Sequence, residues 1–276
     1  FNRRRRCEHN NQVEVTQMNF DLTDDQRAFQ DTARAFADKH MAPHAAHWDA
    51  ESIFPIDVIK ASGEMGFCGI YSPIEHGGIG LSRLDGTLVF EALSRACPST
   101  AAYITIHNMV TWMLCTWATS AVKAEWAKAL TSGQKLGSYC LTEPGAGSDA
   151  GSLKTRAERV SGGWKITGSK AFISGAGDTD VLIVMARTGG EGPKGISAFV
   201  VPAKAAGITY GRKEEKMGWN SQPTRGISFD SVFVPEQNLL GKEGEGFNIA
   251  MKGLNGGRIN IAACSLGAAQ ASIDLA

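Results

Sequence analysis

The sequence lacks several features, and each absence removes a class of function. It has no close pair of cysteines. The six, Cys7, Cys68, Cys97, Cys115, Cys140 and Cys264, stand far apart with no C-x-x-C, which argues against a zinc site or a disulfide framework and for a reducing compartment. It has no charge excess, with 28 Lys and Arg against 28 Asp and Glu, so nothing suggests a nucleic-acid or other polyanion surface. It has no internal repeat and no low-complexity linker. His40, His44 and His47 have helical spacing, but Pro43 interrupts the helix they would need to act as metal ligands, and a solvated helix end is the reading. Nor is there an unbroken apolar run of the roughly 20 residues that cross a bilayer. Residues 96–122 carry no Lys, Arg, Asp or Glu, yet Pro98, Ser99, Thr100, His107 and Asn108 interrupt them, so they read as a buried core helix with His107 as a satisfied core histidine or part of a pocket wall.

What is present divides by texture. Thr23 with Gln26 forms a capping box ahead of Phe29, Ala33, Phe36 and Ala37 on one helical face, and Pro43 ends that run. Further helices are predicted over 55–65, 84–96, 101–117 and 122–130, so residues 18–137 read as an all-α domain. Short β-rich runs follow at 164–167, 181–185, 196–201 and 226–229, separated by glycine and proline turns, and residues 138–240 read as a β-domain. From 241 a second helical pattern runs to 276. The fold class is therefore α+β. Residues 1–17 contain Arg3 to Arg6 but also Glu8 and Glu14, with no amphipathic period, and read as a disordered extension or tag before Met18.

The most informative stretch is Tyr139-Cys140-Leu141-Thr142-Glu143-Pro144-Gly145-Ala146-Gly147-Ser148-Asp149. Glycines at 145, 147 and 151 are expected to supply positive φ and close backbone approach, and Thr142 and Ser148 supply hydroxyls. Residues 145–150 also fit G-x-G-x-x-A literally. That dinucleotide fingerprint needs a following helix and an acidic residue about 20 positions on, whereas here the sequel is strand-like and the expected position falls among residues 165–170.

The stretch resembles the flavin signature of the acyl-CoA dehydrogenases. Two more motifs follow in family order: Lys170-Ala171-Phe172-Ile173-Ser174, similar to the strand against the flavin ring, and residues 216–225 running on to 229–235, similar to the end of the middle domain. The resemblance implies an N-terminal all-α domain, a β-barrel-like middle domain and the start of a C-terminal helical bundle. It implies FAD as cofactor, with Tyr139, Cys140, Leu141, Thr142, Gly147, Ser148, Phe172, Ile173 and Ser174 around it, and a supporting role for Glu143. Asn255-Gly256-Gly257-Arg258, with Ser148, is implied to face the acyl-CoA, and the tetrapeptide is similar to that of branched short-chain members. The implied reaction is α,β-dehydrogenation of isobutyryl-CoA in valine catabolism, with 2-methylbutyryl-CoA or butyryl-CoA as alternative substrates. The implied partners are electron-transfer flavoprotein and the other subunits of a homotetramer. A bacterial cytoplasm, or alternatively a mitochondrial matrix, is the expected location.

One element of that chemistry has no candidate residue. Some branches of the family carry a catalytic Glu immediately before the arginine of the tetrapeptide, where this chain has Gly257. Others carry it in a C-terminal helical domain. No catalytic base is therefore assigned, and the chain is expected to be a C-terminally incomplete piece that binds flavin or acyl-CoA without turning over.

Overall fold

The computed structural model describes residues 21–276, so the reading of residues 1–17 lies outside the described residues. Six helices come first: α1 (Asp24–His40), α2 (Ala45–Ala50), α3 (Ile56–Glu64), α4 (Arg83–Ser94), α5 (Pro98–Trp117) and α6 (Ser120–Thr131). The Thr23 hydroxyl accepts the Gln26 N–H at 3.2 Å while Gln26 Oε1 accepts the Thr23 N–H at 3.1 Å, and α1 then buries Ala33, Phe36 and Ala37. Ser82 and Asp85 repeat the device at α4. One expectation holds and one is corrected. The first run stops at His40, just ahead of Pro43 as expected, and a separate short helix, α2, begins two residues after the proline. Pro98 starts α5 instead of breaking it, since a first-turn residue has no intrahelical partner for an N–H, and Cys97 Sγ caps the Thr100 N–H at 3.5 Å.

The charge-free α5 is the central helix. It lies against α4, α6, a second long helix α7 (Gly246–Leu275) and the sheet, and among the described residues no helix is long and apolar enough to cross a membrane. Its two most polar side chains, His107 and Asn108, are satisfied internally, whereas the buried Ser99 hydroxyl has no partner. Asn108 donates to the Phe67 and Ile104 carbonyls and accepts the Ile70 N–H. His107 is fully buried: its Nδ1 accepts the Gly137 N–H at 3.2 Å, which leaves Nε2–H to donate to the Leu130 carbonyl at 2.8 Å.

Eight strands form one sheet: β1 (Gly137–Cys140), β2 (Arg156–Val160), β3 (Gly163–Ser174), β4 (Val181–Arg187), β5 (Ile196–Pro202), β6 (Ile208–Lys213), β7 (Thr224–Pro235) and β8 (Leu239–Leu240). The order is β6-β7-β3-β2-β4-β5-β8, with β1 parallel to β4. One face of most strands turns into a single cluster containing Trp164, Ile166, Leu182, Val184, Phe199, Phe229 and Val234, which gives the domain its barrel-like core. β4 and β5 are buried on both faces. Their other residues, among them Ile183, Met185, Ala198 and Val200, pack with α5, α6 and α7. That explains why both read as continuous apolar runs without alternation.

α7 lies across α4 and α5 on a stripe of small residues, and Gly267 sits where a Cβ would fall 2.1 Å from the Glu91 carbonyl oxygen of α4. A Cβ at Gly257 would meet only Met109 Sδ, at an ordinary 3.6 Å. Gly267→Ala is therefore expected to destabilise the protein by about 1–3 kcal/mol through backbone displacement, whereas Gly257→Ala gains helix propensity and stabilises by up to about 1 kcal/mol. Urea unfolding of the two variants checks the opposite signs.

Burial holds the His107 ring at a pKa of about 4, against 6.5 ordinarily. Between those values the unfolded chain binds a proton that the folded one does not, so stability is full above 6.5 and declines as the pH falls toward 4, by about 3 kcal/mol. His107→Gln should flatten that part of the pH–stability curve, measured by unfolding at a series of pH values.

Candidate active site

A cavity of about 1210 Å³ opens between the sheet and the two long helices, lined from β1 and the loop after it, the end of β3, the loop after β4, and facing positions of α5 and α7. Strand alternation sorts the signature. Tyr139 and Leu141 face the cavity, while the intervening Cys140 is fully buried in the sheet core. Thr142, Gly147 and Ser148 continue the wall. The loop is folded back on itself by reciprocal hydrogen bonds between the backbones of Glu143 and Ala146.

The glycines there depart from expectation. None of Gly145, Gly147 and Gly151 has a positive φ. A Cβ at Gly145 or Gly147 would meet nothing within 4 Å, and Gly147 lines the cavity. Neither backbone conformation nor packing within the chain requires glycine at 147, and the cavity is open over its backbone.

Glu143 points away from the cavity. Its carboxylate accepts the Lys154 and Thr155 N–H groups at 2.6 and 2.9 Å and the Lys170 ammonium at 2.8 Å, and Lys170 Nζ also donates to the Leu141 carbonyl. Burial works to raise the Glu143 pKa, but the Lys170 charge and these hydrogen bonds hold the carboxyl below its ordinary value.

Two residues past Lys170, a β-bulge in β3 places Phe172 at φ +57° with 65% of its surface exposed on the cavity wall. Left-handed backbone is unfavourable for a bulky side chain. Ile173 and Ser174 also line the wall, and the Ser174 carbonyl accepts the Ser138 hydroxyl at 2.7 Å. The Tyr139 hydroxyl is buried without a hydrogen-bond partner.

On α7 the helical period decides. Phe247, Met251, Leu254, Arg258 and Ile261, at i, i+4, i+7, i+11 and i+14, face the cavity together with Gly257. Asn255 and Gly256 do not. Asn255 Oδ1 accepts from Arg258 at 3.0 Å, and Gly256 packs under the Arg83 guanidinium, which lies 3.6 Å from the Tyr71 ring centroid and 4.6 Å from that of Trp112. Thr105, Ile106 and Met109 of α5 contribute the floor, and His107 is turned away into the core, so its pocket-wall reading is set aside.

Sequence reasoning missed Arg187. It closes β4, and its guanidinium donates to the carbonyls of Gly151, Leu153, Gly190 and Gly192, tying two loops of the rim together. The signal available was a lone arginine ending an apolar strand just before Gly189-Gly190. Among the described residues no group of three His, Cys, Asp or Glu side chains could hold a metal ion.

A helical layer and a barrel-like sheet enclose the cavity, with glycine and hydroxyl residues on one wall and an apolar helix face on the other, and its volume is on the scale of a nucleotide cofactor. The model of the acyl-CoA dehydrogenase N-terminal domain matches residues 23–134, and that of the middle domain matches 138–232. The chain is 51% identical over 255 residues to the mitochondrial isobutyryl-CoA dehydrogenase of Bos taurus, covering 92% of this chain and 61% of that protein. Butyryl-CoA dehydrogenase from Megasphaera elsdenii superposes with a TM-score of 0.89 at 36% identity, covering 93% of this chain and 69% of that one. The FAD complex of PigA superposes with a TM-score of 0.87 at 26% identity, covering 91% and 67%. The chain belongs to the acyl-CoA dehydrogenase family, and it spans about three fifths of the length of the bovine relative, 61%.

The Glu143–Lys170 pair yields a prediction. Lys170→Met leaves a buried carboxylate without its counter-ion and is expected to cost about 3–5 kcal/mol. Adding Glu143→Gln should recover part of that loss. A double-mutant cycle in urea measures the coupling.

Proposed function

We propose that the protein is an FAD-dependent acyl-CoA dehydrogenase acting on isobutyryl-CoA. The observation that carries this reading is the wall itself: a glycine that nothing within the chain requires, and an aromatic ring left exposed at φ +57°. Both fit a flat, phosphate-bearing cofactor. Tyr139, Leu141, Thr142, Gly147, Ser148, Phe172, Ile173 and Ser174 would hold it, with Cys140 contributing through its backbone only. Bound there, FAD supplies acceptance of a hydride and hence the two electrons of the oxidation.

The remaining work falls to the chain. Met109, Phe247, Met251 and Leu254 form an apolar surface suited to a short branched acyl group and keep water from it. Ser148, Gly257 and Arg258 face the acyl-CoA. A pocket of this kind separates isobutyryl-CoA from 2-methylbutyryl-CoA or butyryl-CoA by about 1–3 kcal/mol, because the difference is a methyl or a branch. The name of the bovine relative favours the isobutyryl substrate and supports a mitochondrial location over a bacterial cytoplasm. Electron-transfer flavoprotein as acceptor and a homotetramer as assembly complete the reading.

The base that removes the α-proton is not assigned to these residues. The carboxylates on the wall, Asp149 and Glu191, are both exposed, and that of Glu143 is committed to Lys170. The chain is therefore expected to bind FAD and to shift its visible spectrum on addition of isobutyryl-CoA without bleaching it. An anaerobic titration of this polypeptide reads both. Bleaching would locate a base within it, and failure to retain FAD would overturn the cofactor site.

A further inference from the structure

We propose that Lys154 and Arg156 form a phosphate subsite at the rim of the cavity, which takes the phosphorylated end of a bound ligand. The proposal deepens the acyl-CoA reading and rests on it for the identity of that ligand.

Both residues line the cavity and sit two apart on the exposed face of the chain entering β2, where Leu153, Thr155 and Ala157 alternate into the interior. Their ammonium and guanidinium groups have no hydrogen-bond or ion-pair partner among the described residues, whereas Arg159, further along the strand, pairs with Glu236 at 3.0 Å. The backbone beneath them is fixed. Glu143 accepts the N–H groups of Lys154 and Thr155, and the Arg187 N–H donates to the Thr155 carbonyl at 2.7 Å.

Across the rim, the loop after β4 is arranged to complement an anion. Arg187 draws the carbonyls of Gly190 and Gly192 toward itself. The N–H groups of Gly190, Glu191 and Gly192 are left without a partner among the described residues. A Cβ at Gly190 or Gly192 would meet nothing within 4 Å, so the surface over that backbone is open. Successive unpartnered N–H groups near fixed cations are a general anion-binding arrangement. The acidic groups nearby do not cancel the field. The lining contains Lys154, Arg156, Arg187 and Arg258 against Asp149 and Glu191, an excess of two positive charges, and the next residue on the strand face, Glu158, lies beyond the lining. A short acyl group and its thioester carry no net charge, so this excess has no role at the acyl end. It suits phosphate esters, which belong either to the coenzyme A carrier or to the flavin nucleotide.

The test compares the protein with its Lys154→Ala/Arg156→Ala variant by calorimetry, using adenosine 3′,5′-bisphosphate, isobutyryl-CoA and isobutyryl-pantetheine as probes, with FAD and riboflavin in a parallel series. The expected result is a loss of roughly ten- to hundredfold in affinity for the phosphate-bearing probes, from charge-assisted hydrogen bonds, with no change for isobutyryl-pantetheine and a shallower salt dependence. The exchanged variant Lys154→Arg/Arg156→Lys should restore most of the binding. Weakened bisphosphate and isobutyryl-CoA binding with unaltered FAD retention assigns the subsite to the carrier. Weakened FAD with unaltered riboflavin and isobutyryl-CoA assigns it to the flavin nucleotide. Bisphosphate binding in the absence of any thioester binding would leave the subsite standing and remove the acyl-CoA reading. Equal affinity of variant and parent for every phosphate-bearing probe overturns the proposal.

Discussion

The buried ion pair between Glu143 and Lys170 is the constraint on which the cavity wall depends. Lys170 is fully buried in β3, two residues before Phe172, and Glu143 lies in the loop after β1. Through one carboxylate the pair joins three segments distant in sequence: the loop with Gly147 and Ser148, the aromatic turn of β3, and the chain entering β2. Two buried charges would ordinarily be a liability, since desolvation offsets much of their attraction. Here the carboxylate also accepts two backbone N–H groups and the ammonium also donates to the Leu141 carbonyl, so nearly every bonding position is used. What the arrangement provides is position. An apolar pair of the same volume could fill the space, but it could not fix the register of three backbones at once.

The second constraint is that α5 serves as core for both parts of the molecule. One side of it packs among α1, α3 and α4, and another against the two-sided strands β4 and β5. A helix enclosed on all sides has no face for charged groups, hence the charge-free window of the sequence. Two of its polar residues are placed where backbone groups of neighbouring segments need partners: His107 between Leu130 and Gly137, and Asn108 between Phe67 and Ile70. The helix is thereby fixed in rotation as well as position, so that Thr105, Ile106 and Met109 present a defined surface to the cavity.

Where local rules apply, the fold was legible in the sequence. The capping box at Thr23, the alternating and continuous β runs and the abrupt change of texture near residue 137 are short-range signals, and elements lie where they point. The cavity wall was legible where its residues share a strand or loop, as at 139, 141, 142, 147, 148 and 172–174, though period two moves Cys140 to the other face. It was not legible on α7. There the tetrapeptide reads as a unit, whereas a helix selects every third or fourth residue, so Asn255 and Gly256 face elsewhere and Phe247, Met251 and Leu254 enter. Arg187 was out of reach for a different reason. Its four carbonyl acceptors come from two loops, and only the tertiary structure brings them together.

Two kinds of glycine, finally, separate what the protein requires of itself from what something else requires of it. Gly267 is explained within the chain, because a Cβ would strike the α4 backbone. Gly147 and Gly190 have no such explanation: open space surrounds them and their φ values suit any residue. The same wall carries an aromatic ring 65% exposed at a positive φ and a buried tyrosine hydroxyl with no partner. Each costs stability, on the order of 1–3 kcal/mol for a strained backbone or an unpaired buried group. Sequences that fold well keep local choices consistent with the global structure and depart from that at functional positions. In this chain Tyr139 and Gly147, from one stretch of sequence, and Phe172, from another, converge on one cavity, and a ligand seated there would cover the ring and fill the space over the glycine.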